Sequence, residues 1–487
     1  MLLRPRPFNS SVKVMEEKEV RKSKTKMKQV RKREPAAAQN TNKLEEDMED
    51  YFSKEETHNI RASLLCWYQK NQRVVPWRIT SPNTSQEKEE VEAKDQYQLA
   101  QRAYEVWVSE MMLQQTRVAT VIEYYKRWME KWPTIHHLAA ASQEEVNHMW
   151  AGLGYYRRAR FLLEGAKMVV GGQSQSQGAQ FLFPTTVSAL CKVPGVGQYT
   201  AGAIASIAFN QAVPVVDGNV VRVLARLKAI SANPKDATTI KSFWKLAGQL
   251  VDLHCPGDFN QALMELGATI CTPSTPSCST CPISGQCRAF SLCRTNTSVC
   301  VTDYPTKVPK TKQRLEFCAV CVVEILNNQG PKTQQGAQRD NVFLVVKRPE
   351  EGLLAGLWEF PSVLMDGEAD LTMRREAMDC YLKTSFKLDT KKKHCILSRN
   401  YVGECLHIFS HIRLRMYVEL LVLQLKGGES FLYDKAEKDS LQWRCVDSNS
   451  IESIGLTSGV RKVYNMIHEF KQTQLPLDLT SRKRKPI

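Results

Sequence analysis

The sequence predicts a multidomain protein, with a mainly α-helical region over 51–289 and a smaller α/β domain over 315–471. Three observations predict it. From Tyr97 to Ala289 nearly every segment repeats its apolar residues at helical spacing, with breaks at Trp132-Pro133, "GGQSQSQGAQ", "VPGVG" and "SANPKD". From Glu316 onward the apolar runs are short and β-rich, as in "FCAVCVVEIL", "NVFLVVKR" and "HIFSHIRLRMYVELLVLQL". Between the two textures, residues 290–314 are rich in Ser, Thr, Lys and Pro and read as a linker.

Taken in order, residues 1–50 form a basic arm containing "RKSKTKMKQVRKR", expected to be disordered. An amphipathic helix in "EETHNIRASLLCWYQKNQRVVPWR" starts the ordered chain, and "TSPNTSQEKEEVEAKDQ" reads as a solvated loop. The central helices follow. In the second domain, helical stretches lie around Met373–Leu382 and Ser458–Phe470, and residues 472–487 form a second basic tail ending "SRKRKPI". The 487 residues carry a formal charge of +16 and a pI near 9.1, which favours a polyanionic partner, nucleic acid before membrane. The sequence has neither a secretory signal nor an apolar run of transmembrane length, so a soluble intracellular monomer is expected. The basic arms suit the nucleus; the leader, which has no acid before Glu16, also fits a mitochondrial presequence of poor amphipathic pattern.

Fifteen cysteines in a reducing compartment argue against a disulfide framework, and six of them fall between Cys271 and Cys300. Cys271, Cys278, Cys281 and Cys287 are spaced to close around one centre, an iron–sulfur cluster or structural zinc. Upstream, "VPGVGQYTAG" opens a helix with a tight turn, where Gly195 and Gly197 permit unusual backbone angles and amides can meet a phosphate; the bland reading is a turn between packed helices. It lacks the Lys-Ser/Thr ending of a nucleotide-binding loop. Two acids have apolar settings. Glu110 sits among Val106, Trp107, Met111, Met112 and Leu113, where desolvation raises a carboxyl pKa, unless it is an ordinary exposed helix glutamate. Asp217, in "VVDGNVVRVLARL", either caps the next helix or faces a cation developing on a sugar, with Asn219 as hydrogen-bonding support.

The cysteine spacing, the hairpin, Asp217 and "SEMMLQQT" together resemble the endonuclease III and MutY-type DNA glycosylases, over about Arg61 to Cys287. The resemblance implies a two-lobed helix–hairpin–helix fold with a [4Fe–4S] cluster on the four cysteines and double-stranded DNA as partner. Strand-cutting relatives place a Schiff-base lysine where this chain has Tyr199, which points to base removal without lyase chemistry. In the MutY-type pattern Glu110 protonates an extruded adenine and Asp217 stabilises the sugar cation, with Tyr199 assisting. Gln115 and Tyr155 enter the base stack, and Trp77, Arg78, Leu113, Val118 and Gln261 map to the adenine pocket. "GLLAGLWEFP" resembles the start of a MutT-like (Nudix) domain, but "REAMDC" lacks the paired glutamates that hold magnesium, so recognition is expected there and nucleotide hydrolysis is not. Phe409, Ser410 and His411 match a loop that tests for 8-oxoguanine. Some vertebrate members hold zinc in the linker; His58, Cys293 and Cys300 would correspond, with Asp303 near the place of a third cysteine. The resemblance implies removal of adenine opposite 8-oxoguanine or guanine, alongside other repair and replication proteins. The alternatives are a pyrimidine-specific lyase and a non-catalytic lesion-binding protein.

Overall fold

The computed structural model describes residues 51–78, 96–172, 183–309, 312–326, 341–390, 396–425, 432, 441–451 and 454–474. The basic arm, residues 80–95 of the Glu/Lys-rich segment, residues 173–180 of the Gln/Ser-rich break and the tail from 475 lie outside them.

Among the described residues before the first strand, the chain is helical. Ser53 opens α1 (Lys54–Asn71) with a capping box, its hydroxyl accepting from the Glu56 amide while the Glu56 carboxylate accepts from the Ser53 amide. α2 (Gln96–Leu113), α3 (Val118–Lys131), α4 (Ile135–Ala139), α5 (Gln143–Trp150) and α6 (Arg157–Gly171) follow. Then come α7 (Val187–Leu190), α8 (Gln198–Phe209), α9 (Gly218–Leu227), α10 (Ala237–Leu250) and α11 (Pro256–Thr269). They build two cores. One gathers Trp107, Trp128, Trp150, Leu162 and Ile204; the other gathers Ile60, Leu64, Leu224, Phe243 and Phe259. α8 is apolar on nearly every side because it packs against α2 of one lobe and α11 of the other.

The 290–314 segment is more structured than its composition predicts. Helix α12 (Arg288–Thr295) crosses the expected boundary at 289, and a 3₁₀ turn spans Val301–Asp303. The reason is tertiary packing: α12 packs on α9, and the buried Arg226 of α9 donates to the Tyr304 carbonyl.

The second domain is a sheet between two helices. The strands β1 (Arg314–Ile325), β2 (Val342–Lys347), β3 (Trp358–Glu359), β5 (Ile396–Ile408) and β6 (Ile412–Leu423) run in the order β3-β2-β1-β6-β5; β4 (Ser362–Met365) pairs with β1 and β7 (Trp443–Asp447) with β2. β1 and β6 are parallel, with Cys318 opposite Met416, and buried on both faces, which is why their sequences read as continuous apolar runs. α13 (Leu371–Phe386) covers one face and α14 (Ser458–Gln474) the other. The run "HIFSHIRLRMYVELLVLQL" is two antiparallel strands, broken at Phe409–His411.

From Phe52 onward both domains form one compact unit. Leu357, from the "GLLAGLWEFP" loop of the sheet domain, is buried in the core of the first helical lobe. Beside it the Trp358 indole donates to Glu144 of α5 at 3.1 Å.

Candidate active site

A cleft of about 560 Å³ opens between the two helical lobes. Glu110, on the last turns of α2, is 6 % exposed and accepts a 2.6 Å hydrogen bond from the Tyr199 hydroxyl. Burial pushes its pKa up to about 7; the Tyr199 bond and the more distant Arg78 pull it down, while Asp217 pushes it further up. The acid therefore keeps a proton near neutrality. Tyr199, one residue into α8, also reaches the Met264 sulfur at 3.4 Å. Burial raises the phenol well above its ordinary range, so it stays a neutral donor.

Asp217 caps the next helix from the wall of the cleft. One carboxylate oxygen accepts from the Val220 amide at 2.7 Å and caps α9, and the other accepts from the Asn219 amide side chain at 2.7 Å. Burial nonetheless raises its pKa. Asn219 is in turn held at 2.8 Å by Arg222, which also donates to the carbonyls of Gly267 and Cys271. Gly267 is needed for this approach: a β-carbon there would stand 2.7 Å from that of Asn219.

Trp77, Arg78, Leu113, Val118 and Gln261 all line the same cleft as Glu110, Tyr199, Asp217 and Asn219. Gln261 donates to the Gly257 carbonyl one turn earlier on α11. Sequence reading missed the support beneath this wall. Buried Glu265 holds Arg73 at 2.5 Å and Arg78 at 2.8 Å. Its partners lie 192 and 187 residues away, beyond any local pattern.

The hairpin needs one correction. Gly195 has φ +75°, and a β-carbon there would meet Phe161 at 2.6 Å; Gly197 has φ −92° and ψ 179°, an extended helix cap open to any residue. Its neighbourhood is clear of other atoms.

Gln115 and Tyr155 come together on the surface. The Tyr155 hydroxyl donates to the Gln115 side-chain oxygen at 2.5 Å and lies 2.6 Å from the Ser410 hydroxyl of the sheet domain. Ser410 is in the β5–β6 turn with Phe409 and His411. The Phe409 amide donates to the Ile412 carbonyl at 2.8 Å, and the His411 carbonyl accepts from the Arg314 amide at 3.1 Å. Gln313, unremarked in the sequence, donates to the Phe409 carbonyl at 2.8 Å and ties the turn to the start of β1.

Cys271, Cys281 and Cys287 pack against the second helical core, and Cys271 lies close enough to help raise the thiol of Cys278, as both do that of Cys287. Burial pushes Cys281 up to about 12 and Cys287 up to about 11, so these thiols lose their protons readily only to a cationic centre. Arg226 donates to the Cys271 sulfur at 3.2 Å. A four-thiol donor set on one short loop fits an iron–sulfur cluster. Among the described residues no three His, Cys, Asp or Glu side chains are grouped to hold a single metal ion, which holds for the four cysteines as for His58, Cys293 and Cys300, so the fit rests on the chemistry and spacing of the donor set. In the sheet domain, Arg375 of "REAMDC" pairs with Glu419 and Asp379 with Arg399, at 2.5 and 2.6 Å.

Comparison with known proteins agrees with this architecture. Residues 108–249 match the HhH-GPD superfamily of base excision DNA repair proteins, and residues 336–466 match the NUDIX domain. Fold and site thus define a base-excision DNA glycosylase with an appended Nudix-like domain. The chain is 58 % identical over 438 residues to an adenine DNA glycosylase of Arabidopsis thaliana, covering 86 % of this chain and 65 % of that relative. An adenine DNA glycosylase of Rattus norvegicus is 43 % identical over 446 residues, with 85 % and 78 % covered. One of Schizosaccharomyces pombe is 35 % identical over 456 residues, with 87 % and 92 % covered. The chain belongs to the adenine DNA glycosylase family, hydrolases acting on N-glycosyl bonds.

Proposed function

We propose that this protein removes adenine mispaired with 8-oxoguanine or guanine in double-stranded DNA, and leaves an abasic site. The observation that carries the reading is the single cleft in which Glu110, Tyr199 and Asp217 meet the expected adenine-pocket residues. Glu110 gives its proton to N7 of an extruded adenine. The electrons of the C1′–N9 bond leave with the base, and positive charge develops on the deoxyribose. The Asp217 carboxylate, fixed by Val220 and Asn219, stabilises that charge. Water then adds to C1′ and its proton passes to the Glu110 carboxylate, which restores the acid. Tyr199 orients Glu110, and no lysine lines the cleft among the described residues, so the strand stays intact.

Recognition of the opposite base is assigned to Phe409, Ser410 and His411, with Gln115 and Tyr155 filling the stack. The Ser410 hydroxyl, within hydrogen-bond distance of Tyr155, supports this reading because it joins the sheet-domain turn to the residue assigned to the stack. Gly195 and Gly197 are assigned to a DNA phosphate. Cys271, Cys278, Cys281 and Cys287 are assigned to a [4Fe–4S] cluster, which when bound would order the loop after α11.

The test is a duplex with a labelled adenine strand opposite 8-oxoguanine or guanine, developed with and without alkali. Breakage only after alkali is expected. Breakage without alkali would refute the monofunctional reading, and none under either condition would favour a binding protein. A brown protein with visible absorption, lost when all four cysteines are replaced, is the expected signature of the cluster.

A further inference from the structure

Arg158, in the first turn of α6, has no role in the chemistry above, yet its buried guanidinium is the most heavily bonded group beside the lesion-facing surface. One terminal nitrogen donates to the carbonyls of Met111, Met112 and Gln114 at 2.9, 3.0 and 2.6 Å. The other donates to the carbonyl of Gly154 at 3.0 Å, and to the Leu153 carbonyl and Thr116 hydroxyl at 3.4 Å. The guanidinium also lies 5.3 Å from the Trp150 ring centre and 5.4 Å from that of Tyr155. Burial lowers its pKa only to about 10, so it is cationic at neutral pH.

The position of these acceptors matters. Gln114 and Gly154 immediately precede Gln115 and Tyr155, which sit at φ +55° and +50°, a left-handed conformation that side-chain-bearing residues adopt at a cost. Met111 and Met112 immediately follow Glu110 on α2. One planar fork thus reaches the two strained residues that face the opposite base and the helix end that carries the acid. A lysine ammonium has three donors on a single nitrogen and cannot span both carbonyl groups at once. The same group forms part of a cleft of about 270 Å³ shared with Gln115, Tyr155 and Gly195.

We propose that Arg158 is a positioning residue that couples reading of the opposite base to removal of adenine. It fixes Gln115 and Tyr155 against the end of the Glu110 helix. The inference rests on the function proposed above and deepens it.

The test uses the full chain with its cluster. Single-turnover adenine release is measured opposite 8-oxoguanine and opposite guanine, for the parent, Arg158→Lys, Tyr155→Phe and the double variant. Parent activity is the control on the functional reading: if the parent releases no adenine, that reading fails before this one is judged. With an active parent, Arg158→Lys should keep the cluster absorption and a single melting transition. The 8-oxoguanine-to-guanine rate ratio should fall about tenfold, and the double variant should have the ratio of the worse single one. Rates lowered equally opposite both bases, or additive effects in the double variant, would overturn the assignment in favour of a purely structural arginine. Should the lysine variant fail to fold, Arg158→Gln, with two donors, is read in the same way. Failure of both to fold would also overturn it, since the guanidinium would then be required by the fold itself.

Discussion

Glu110 and Glu419 are both buried glutamates, each in the pocket of its own domain, and their surroundings are opposite. Glu419 carries two guanidiniums directly, Arg375 at 2.5 Å and Arg399 at 2.8 Å, in a space of about 10 Å³. Glu110 has one neutral phenol at 2.6 Å and faces about 560 Å³. The arginine nearest in influence, Arg78, is held away by Glu265. Pairing a carboxylate twice and filling the space around it makes a structural knot. Withholding those partners leaves burial to dominate and keeps a transferable proton near neutral pH. The space beside Glu419 is filled by its own ion pairs, and the cleft beside Glu110 is open.

The contrast breaks most completely with Glu110→Gln, which removes the proton donor. Single-turnover adenine release should fall by about 10³-fold, within the usual range for a general acid–base group, while duplex binding in a gel-shift assay is retained. Asp217→Asn keeps the cap but removes the charge proposed to stabilise the sugar cation, and a loss of about 10²-fold is expected in the same assay. Tyr199→Phe should cost about tenfold at neutral pH, as loss of one well-placed hydrogen bond. The pH profile sharpens that result. Adenine release by the parent should fall as pH rises through about 7, because the proton on Glu110 is lost there. Since the Tyr199 O–H favours the carboxylate, its removal should move the falling limb to higher pH; a limb that stays in place would remove Tyr199 from the acid's control.

Stability separates the two glutamates again. A folded-state pKa raised from 4.5 to about 7 means that Glu110 favours the fold below its unfolded value and loses that contribution as pH rises through about 7. Glu110→Gln should therefore be more stable than the parent at pH 8, by on the order of 3 kcal/mol, read from denaturant unfolding. Glu419→Gln should do the reverse, with a loss of about 3 kcal/mol as Arg375 loses its carboxylate and Arg399 keeps only Asp379, and change adenine release by less than about threefold.

The parts of the site legible in the sequence were those whose chemistry is local. Glu110 could be read from its apolar neighbours, Asp217 from its place before a helix, Tyr199 from the hairpin, and the four cysteines from their spacing. Arg158, Glu265 and Gln313 left no such mark, because the α2 carbonyls that Arg158 reaches, the two arginines on Glu265 and the Phe409 carbonyl on Gln313 lie 44 to 192 residues away and become neighbours only when helices and strands pack. The same limit hid β7, five residues whose strand character depends on pairing with β2. It also hid the helix in the supposed linker, which depends on contact with α9. The turn geometry at the break inside "HIFSHIRLRM" rests on Ile412 and Gln313.

Leu357 bears on how this molecule can be cut or recombined. Its side chain belongs to the sheet domain in sequence and to the first helical lobe in packing. Severing the chain between the two halves would leave a leucine-sized hole in one and expose an apolar residue on the other, a burial worth about 2 kcal/mol. The unit that can be inherited as a module is therefore smaller than the unit that is stable. A helical half taken alone would need a new residue in that socket.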